Sequence, residues 1–408
     1  MVCSMNPLTV KINDHLTYIG VNDRYTHLFE NMWPLPDGVS YNSYILDGGE
    51  ETCLLDCVKI PSVGEFLDNI SSVLNGRKLD YVIVNHMEPD HTSSLPTLLE
   101  IYPDIKIIGN KKTTRFLKNF YHITDNIIEV KEGEEVQIGS TSLTFYMTPM
   151  VHWPESMVAY EKSTGTLFSQ DAFGGFGTLD GSIFDDEINF EFYKDETIRY
   201  YTNIVGKYSV QVIRALDKLA GLDIQMICPD HGPIWRKNPE VIIDLYAKLS
   251  KQETENGVLI VYGSMYGNTE KMAEMIGKSL ANEGIKNIRI RNIAEYPLSN
   301  LIAESWRYRG IILGCPTYNV GLFPPMDHFV RTLTKQNMKN HTLGYFTNYS
   351  WGGGAEKEFA AFAEKCGWDL LEAQPNVMGD PKEADIETLN QLGKEMAQAL
   401  KEAFKDEY

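Results

Sequence analysis

Asn85-His86-Met87-Glu88-Pro89-Asp90-His91 packs four metal-capable side chains into six residues. It follows an apolar run, Tyr81-Val82-Ile83-Val84, that reads as a buried strand. A loop just past a strand end sits on a rigid scaffold and can aim several ligands inward. Pro89 limits the backbone there and disfavours helix for Glu88 before it. The ligands therefore fan out from a turn instead of lining one helical face, which suits a site with two metals.

Further candidates fall at other strand ends. His152 lies in Pro149-Met150-Val151-His152-Trp153-Pro154-Glu155, Asp171 ends Leu167-Phe168-Ser169-Gln170-Asp171, and His231 follows the strand Ile224-Gln225-Met226-Ile227-Cys228. Four separate loops thus offer His or Asp to one mouth. A lone histidine is more often a hydrogen-bonded core or surface imidazole, but the set points the other way. His122, His328 and His341 have no such context, and His15 sits in a turn.

The 408 residues suggest two domains, and 43% hydrophobic content is ample for more than one core. Lys plus Arg total 37 against 56 Asp plus Glu, a net charge of -19. Such a chain should repel nucleic acid and anionic membranes and favour a neutral or basic protein partner. No apolar run is long enough to span a bilayer, and Met1-Val2-Cys3-Ser4-Met5-Asn6-Pro7 has no signal-peptide pattern. Six scattered cysteines without a CxxC pair read as free thiols in a reducing cytoplasm. Cys53 and Cys57, on a strand-like run, read as structural thiols and not as a redox pair.

The first ~235 residues read as many short strands with a few helices, including one over Val63–Leu74 and one over residues 196–220. Two packed sheets covered by helices follow from that pattern. A charged, helix-prone stretch over 236–256 leads to a break at Glu255-Asn256-Gly257, and domains are expected over 1–250 and 256–408. Beyond it strand and helix alternate strictly: Val258–Tyr262, a helix over Thr269–Asn282, then further pairs up to a last helix near Asp385–Lys405. Five strands with crossover helices form a doubly wound parallel sheet.

Gly263-Ser264-Met265-Tyr266-Gly267-Asn268-Thr269 follows the first strand of this second domain and opens a helix. The hydroxyls of Ser264 and Thr269 and the backbone N–H groups around Gly267 can surround a phosphate at a helix N-terminus. There is no P-loop Lys and no GxGxxG, so a terminal phosphate monoester, hence a mononucleotide, fits better. Pro316-Thr317-Tyr318-Asn319-Val320-Gly321 and Asn348-Tyr349-Ser350-Trp351-Gly352-Gly353-Gly354 fall at two more strand ends. In strand order 2-1-3-4-5 these loops share one crevice. Tyr318 and Trp351 can pack on a flat ring, which the glycines let the backbone approach.

The order His-x-[His/Glu]-x-Asp-His, then His, Asp and His resembles the metallo-β-lactamase superfamily, and the 264–269 loop resembles the flavodoxin phosphate loop. The superfamily's hydrolases carry His where this chain has Glu88. A carboxylate there makes the site harder and more anionic, favouring iron over zinc. His86, Glu88, Asp90, His91, His152, Asp171 and His231 together resemble the flavodiiron proteins, and the likeness covers the whole chain.

The resemblance implies an α+β and α/β architecture: an N-terminal metallo-β-lactamase-like αββα sandwich followed by a C-terminal flavodoxin-like doubly wound parallel sheet. It implies two Fe, one held by His86, Glu88 and His152, the other by Asp90, His91 and His231, with Asp171 bridging, and FMN in the second domain. It further implies reduction of O2 to water, with NO reduction to nitrous oxide as a second role or the main one. His27 and Tyr200 resemble residues facing the gas pocket. The family pattern is a head-to-tail homodimer or a tetramer. No Cys-x-x-Cys extension follows the second domain, so electrons are expected from a separate rubredoxin or a reduced deazaflavin. The competing readings are a zinc hydrolase fused to a flavodoxin, and an electron carrier with a vestigial first domain.

Overall fold

The computed structural model describes residues 8–407; Met1–Pro7, with Cys3, and Tyr408 lie outside it. The chain divides into two compact units, the first ending at Lys251 and the second beginning at Gln252. Glu255-Asn256-Gly257, read as a break, instead opens the second unit's first strand, Glu255–Tyr262.

Among the described residues the first unit holds two large sheets and two short two-stranded ones. One large sheet runs, in spatial order, Val10–Lys11, Leu16–Tyr18, Tyr44–Asp47, Thr52–Leu55, Tyr81–Ile83, Lys106–Gly109 and Ile127–Glu129. The other large sheet runs Glu135–Ile138, Thr141–Met147, Met157–Glu161, Thr166–Gln170 and Met226–Pro229. Leu46, Leu55, Ile83 and Ile108 of the first sheet share one core with Phe145, Ala159, Phe168 and Cys228 of the second. Helices lie against these sheets by the usual spacing. In Val63–Leu74, Phe66, Ile70 and Leu74 are buried at i, i+4 and i+8, and Asn75 ends the helix in the left-handed region.

Parallel pairing decides where the site falls. Thr166–Gln170 and Met226–Pro229 pair in parallel, with Gln170 opposite Pro229, so Asp171 and His231 leave neighbouring strand ends. Tyr81–Ile83 pairs in parallel with Thr52–Leu55 and Lys106–Gly109, and the 85–91 loop follows it. Met157 N–H donates to the Asn85 carbonyl at 3.1 Å, tying that loop to the second sheet.

One expected helix is interrupted. Residues 196–220 form helix only to Tyr200, then a π turn over Tyr201–Val205 and a 3-10 turn over Gly206–Tyr208, before helix resumes at Ser209–Leu219. The side chains of Thr202 and Asn203 both donate to the Arg199 carbonyl, at 3.2 and 2.7 Å, and compete with the backbone ladder.

The second unit is a parallel sheet in the order Ile288–Asn292, Glu255–Tyr262, Tyr308–Pro316, Thr342–Tyr349 and Asp369–Leu370, which is 2-1-3-4-5. The fifth strand is split: Asn376–Met378 also pairs with Thr342–Tyr349. Pro375 between the two pieces has no N–H for a ladder bond. Among the described residues no helix is long and apolar enough to cross a membrane.

His341, 2% exposed, lies in this unit with Nδ1 3.1 Å from the Tyr308 carbonyl and its ring 4.7 Å from that of Trp368. Burial lowers it to about 4. The unfolded chain takes up this proton first, so the contribution is full above pH ~6.5 and falls away as pH drops toward 4, by up to about 3 kcal/mol. Denaturant unfolding of the second unit between pH 4 and 7 should show that slope, and His341→Phe should flatten it.

Candidate metal centre and flavin site

Hydrogen bonds from the surrounding chain hold the 85–91 stretch. Asp56, 1% exposed, accepts from Asn85 N–H and from the Asn85 amide, both at 2.8 Å. Thr92 Oγ1 donates to the Glu88 carbonyl at 3.0 Å. Glu88 has extended backbone, and Pro89 starts a single helical turn, Pro89–Thr92. His86 and Glu88 therefore reach in from the loop, Asp90 and His91 from the turn.

Two groups of ligand atoms result. His86, Glu88, His152 and Asp171 bring theirs within 4.8 Å of one another, and so do Asp90, His91 and His231. Glu88 Oε2 is 3.3 Å from His86 Nε2 and 2.9 Å from His152 Nε2. Asp90 Oδ2 is 3.4 and 3.5 Å from Nε2 of His91 and His231. Asp171 touches both groups. Its Oδ2 is 3.2 Å from His86 Nε2 and 3.0 Å from His152 Nε2. Its Oδ1 is 3.1 Å from His91 Nε2 and 3.3 Å from His231 Nε2. The structure thus brings together all seven residues singled out in the sequence.

The carboxylates favour the charged forms of the surrounding imidazoles. Burial works against charge on His91, but Asp90, Asp171 and Asp230 outweigh it and raise the imidazole to about 9. His152 is raised to about 9 against its burial by Asp171 and Glu88, and His231 to about 10 by Asp171 and Asp90. Burial pushes Asp171 up, yet His86 and His91 hold it well below the usual carboxylate range. Both oxygens of Asp90 and Oδ2 of Asp171 are buried without a hydrogen bond. Four imidazoles converging on three carboxylates, two of them with orphaned oxygens, fit two divalent cations.

A cavity of about 650 Å3 opens beside this centre, lined by His27, Glu30, Tyr41, Lys59, Glu88 and Asp90 among others. His27 is exposed on its wall. Burial and the nearby Glu88 raise Glu30 to about 7. Tyr200 is fully buried, its hydroxyl unpartnered and its ring 5.5 Å from that of His231. The sequence reading missed Asp56, Glu30, Lys59 and Glu155. Glu155 alone carried a signal, three residues after His152.

In the second unit the three expected loops leave adjacent strands: Tyr262 is opposite Gly314, and Pro316 opposite Asn348. Gly267 has φ +92 and caps the helix Asn268–Asn282 without a side-chain bond, while its N–H donates to Ser264 Oγ at 3.0 Å. The first N–H groups of this helix are open to an anion. Thr317 N–H donates to the Asn348 carbonyl at 2.7 Å, and Asn348 Nδ2 to the Gly379 carbonyl at 2.7 Å. Met265, Tyr266, Tyr318, Asn319, Ser350, Trp351 and Gly352 are exposed around this edge, and Trp351 is 93% exposed.

The fold and the donor set define a class: a β-lactamase-like unit with a carboxylate-rich two-metal centre, joined to a flavodoxin-like unit. Comparison with known proteins agrees. The family model described as ODP family β-lactamase matches residues 39–232, and that for flavodoxin matches 260–399. The chain is 31% identical to the rubredoxin-oxygen oxidoreductase of Megalodesulfovibrio gigas, over 96% of this chain and 98% of that one. It is 32% identical to the nitric oxide reductase of Moorella thermoacetica, over 95% and 98%. A solved flavo di-iron protein variant from Thermotoga maritima superposes with a TM-score of 0.89 at 28% identity, covering 96% of this chain and 98% of that one. The chain belongs to the flavodiiron protein family. Its two clusters fit two iron ions and its flavodoxin-like loops fit FMN, the cofactors that go with this membership.

Proposed function

We propose that this chain is a flavodiiron oxidoreductase that reduces O2 to water and NO to nitrous oxide. The observation that carries this reading is Asp171, with one oxygen on each of two clusters that each offer two imidazoles and one further carboxylate. His86, Glu88 and His152 would hold one iron, Asp90, His91 and His231 the other, and Asp171 would bridge them. When bound, two ferrous ions and reduced FMN supply four electrons between them, as dioxygen needs, and two suffice to couple two nitric oxides.

The residues do the rest. Three carboxylates offset most of the metal charge and shift the site away from water activation. The cavity beside Glu88 and Asp90 admits a small gas and His27 on its wall serves as a hydrogen-bond donor; Tyr200 does not line that cavity but packs against His231 with its hydroxyl unpartnered. The loops 264–269, 316–319 and 348–353 hold FMN, its phosphate on the open N–H groups of the helix Asn268–Asn282.

The relatives' names support both gases and a rubredoxin-type donor. The free, largely buried thiols suit the cytoplasm. The working form in this reading is a head-to-tail homodimer, in which FMN of one subunit serves the irons of the other.

The test is anaerobic reduction of iron- and FMN-loaded protein, then mixing with O2 and NO separately, with sedimentation of the same samples. Oxidation of both cofactors with water or nitrous oxide as product is expected, and the two rates rank the gases. A colourless, zinc-filled protein that hydrolyses esters would overturn the reading, and an active monomer would overturn the dimer.

A further inference from the structure

The two clusters are alike in their inner donors. Each offers two imidazoles and one carboxylate of its own, and Asp171 lies against both. They differ in what stands behind the histidines. His86 Nδ1 lies 3.0 Å from Glu155 Oε1, and the same oxygen accepts from Met87 N–H at 2.9 Å. Glu155 is 1% exposed and is fixed from behind. Asn110 donates to its backbone carbonyl and caps the helix Lys111–Tyr121 through Lys112 N–H and Thr113 N–H. In the other cluster His231 Nδ1 donates to a neutral carbonyl, that of Ser40, at 2.7 Å. His91 Nδ1 has no hydrogen bond, Asp230 Oδ2 being 3.6 Å away.

We propose that Glu155 is a positioning residue that makes the two metals inequivalent: its bond to His86 renders the iron at His86, Glu88 and His152 the harder one to reduce. The inference rests on the diiron reading above. An imidazole that donates its outer N–H to a carboxylate is the more basic ligand and stabilises the higher oxidation state of its metal. The bond also fixes the tautomer, leaving Nε2 free to bind. Asp56 and Glu30 are further carboxyls on this side, but Asp56 accepts from backbone N–H groups and the Asn85 amide instead of from an imidazole, and Glu30 lies on the cavity wall.

Glu155→Gln separates the two roles. An amide oxygen still accepts from His86 and Met87, so the geometry stays while the carboxylate is lost. The experiment is an anaerobic redox titration of the iron- and FMN-loaded protein, with the mixed-valent form followed by electron paramagnetic resonance. The lower of the two iron potentials should rise in E155Q, a tenfold change in ferric over ferrous preference corresponding to about 59 mV, while the upper one stays. An E155Q protein that holds two irons and FMN at wild-type potentials overturns the proposal. Should E155Q fail to fold, E155D, with its carboxylate drawn back by one methylene, should show a smaller rise of the same potential, and its absence overturns the proposal equally. Wild-type protein that takes up no iron would instead sink the diiron reading itself.

Discussion

An Asp171→Ala protein should keep FMN at wild-type stoichiometry, lose both irons and fall in O2 and NO turnover by more than about a hundredfold, the upper cost of merely losing a ligand's supporting partner. Asp171 sends one oxygen to each cluster, so no other single truncation removes a ligand from both. It is 1% exposed, and the hole it leaves is walled by four imidazoles. In the metal-free protein those imidazoles rely on it for their protons, so its removal should also cost roughly 3–5 kcal/mol, as breaking a buried pair does. That cost should be full near neutral pH. It should shrink as pH passes 9 to 10, where His91, His152 and His231 lose their protons in the parent.

Two controls sharpen the reading. Asp171→Asn keeps the shape but leaves one strong oxygen donor, and should hold at most one tightly bound iron. Asp90→Ala touches only the second cluster and should leave the first filled. Iron analysis with FMN absorbance measures all three proteins. Two irons and parental turnover in Asp171→Ala would remove Asp171 from the centre.

The clustering of these seven side chains was legible because its chemistry is local. The residues follow strand ends: parallel pairing brings those of Asp171 and His231 together, while His152 comes from the turn between the antiparallel strands Thr141–Met147 and Met157–Glu161. Helices with a full apolar stripe were legible for the same reason: Val63–Leu74 runs as the periodicity predicts. What the sequence hid is what depends on partners far along the chain. Ser40 and Asn42 hold the loop of His231 through bonds spanning about 190 positions, and nothing near them marks that task. The hairpins Val21–Asp23 with Val39–Tyr41, and Leu28–Phe29 with Trp33–Pro34, are too short for a period to show, although they wall the cavity. Lys111–Tyr121 was missed because it is mostly polar; only Thr113 and Leu117 are buried, and the Asn110 cap does much to define it. The break after Tyr200 came from side chains taking a backbone carbonyl, which no hydrophobic period reports.

Gly354→Ala should weaken FMN binding by roughly ten- to a hundredfold, the equivalent of 1–3 kcal/mol of local backbone strain, while leaving the iron content unchanged. Gly354 has φ +155, a conformation L side chains rarely adopt, and it follows the Trp351 loop directly. A Cβ there would stand 2.2 Å from the Val320 carbonyl oxygen, which belongs to the Tyr318 loop. Backbone meets backbone at that point, so no rotamer change relieves the clash. The two loops must part, and they are the ones expected to grip the ring. Their remaining ties are few: Thr317 N–H to the Asn348 carbonyl at 2.7 Å, and Ala355 N–H to Thr317 Oγ1 at 3.4 Å. Gly352 is the control. It has no neighbour within 4 Å of its Cβ position and no positive φ, so Gly352→Ala should bind FMN as the parent does. Titration of the flavin-free proteins with FMN, followed by quenching of flavin fluorescence, reads both. Equal affinities in Gly354→Ala and the parent, or equal losses in the two variants, would show that close contact between these loops is not what holds the flavin.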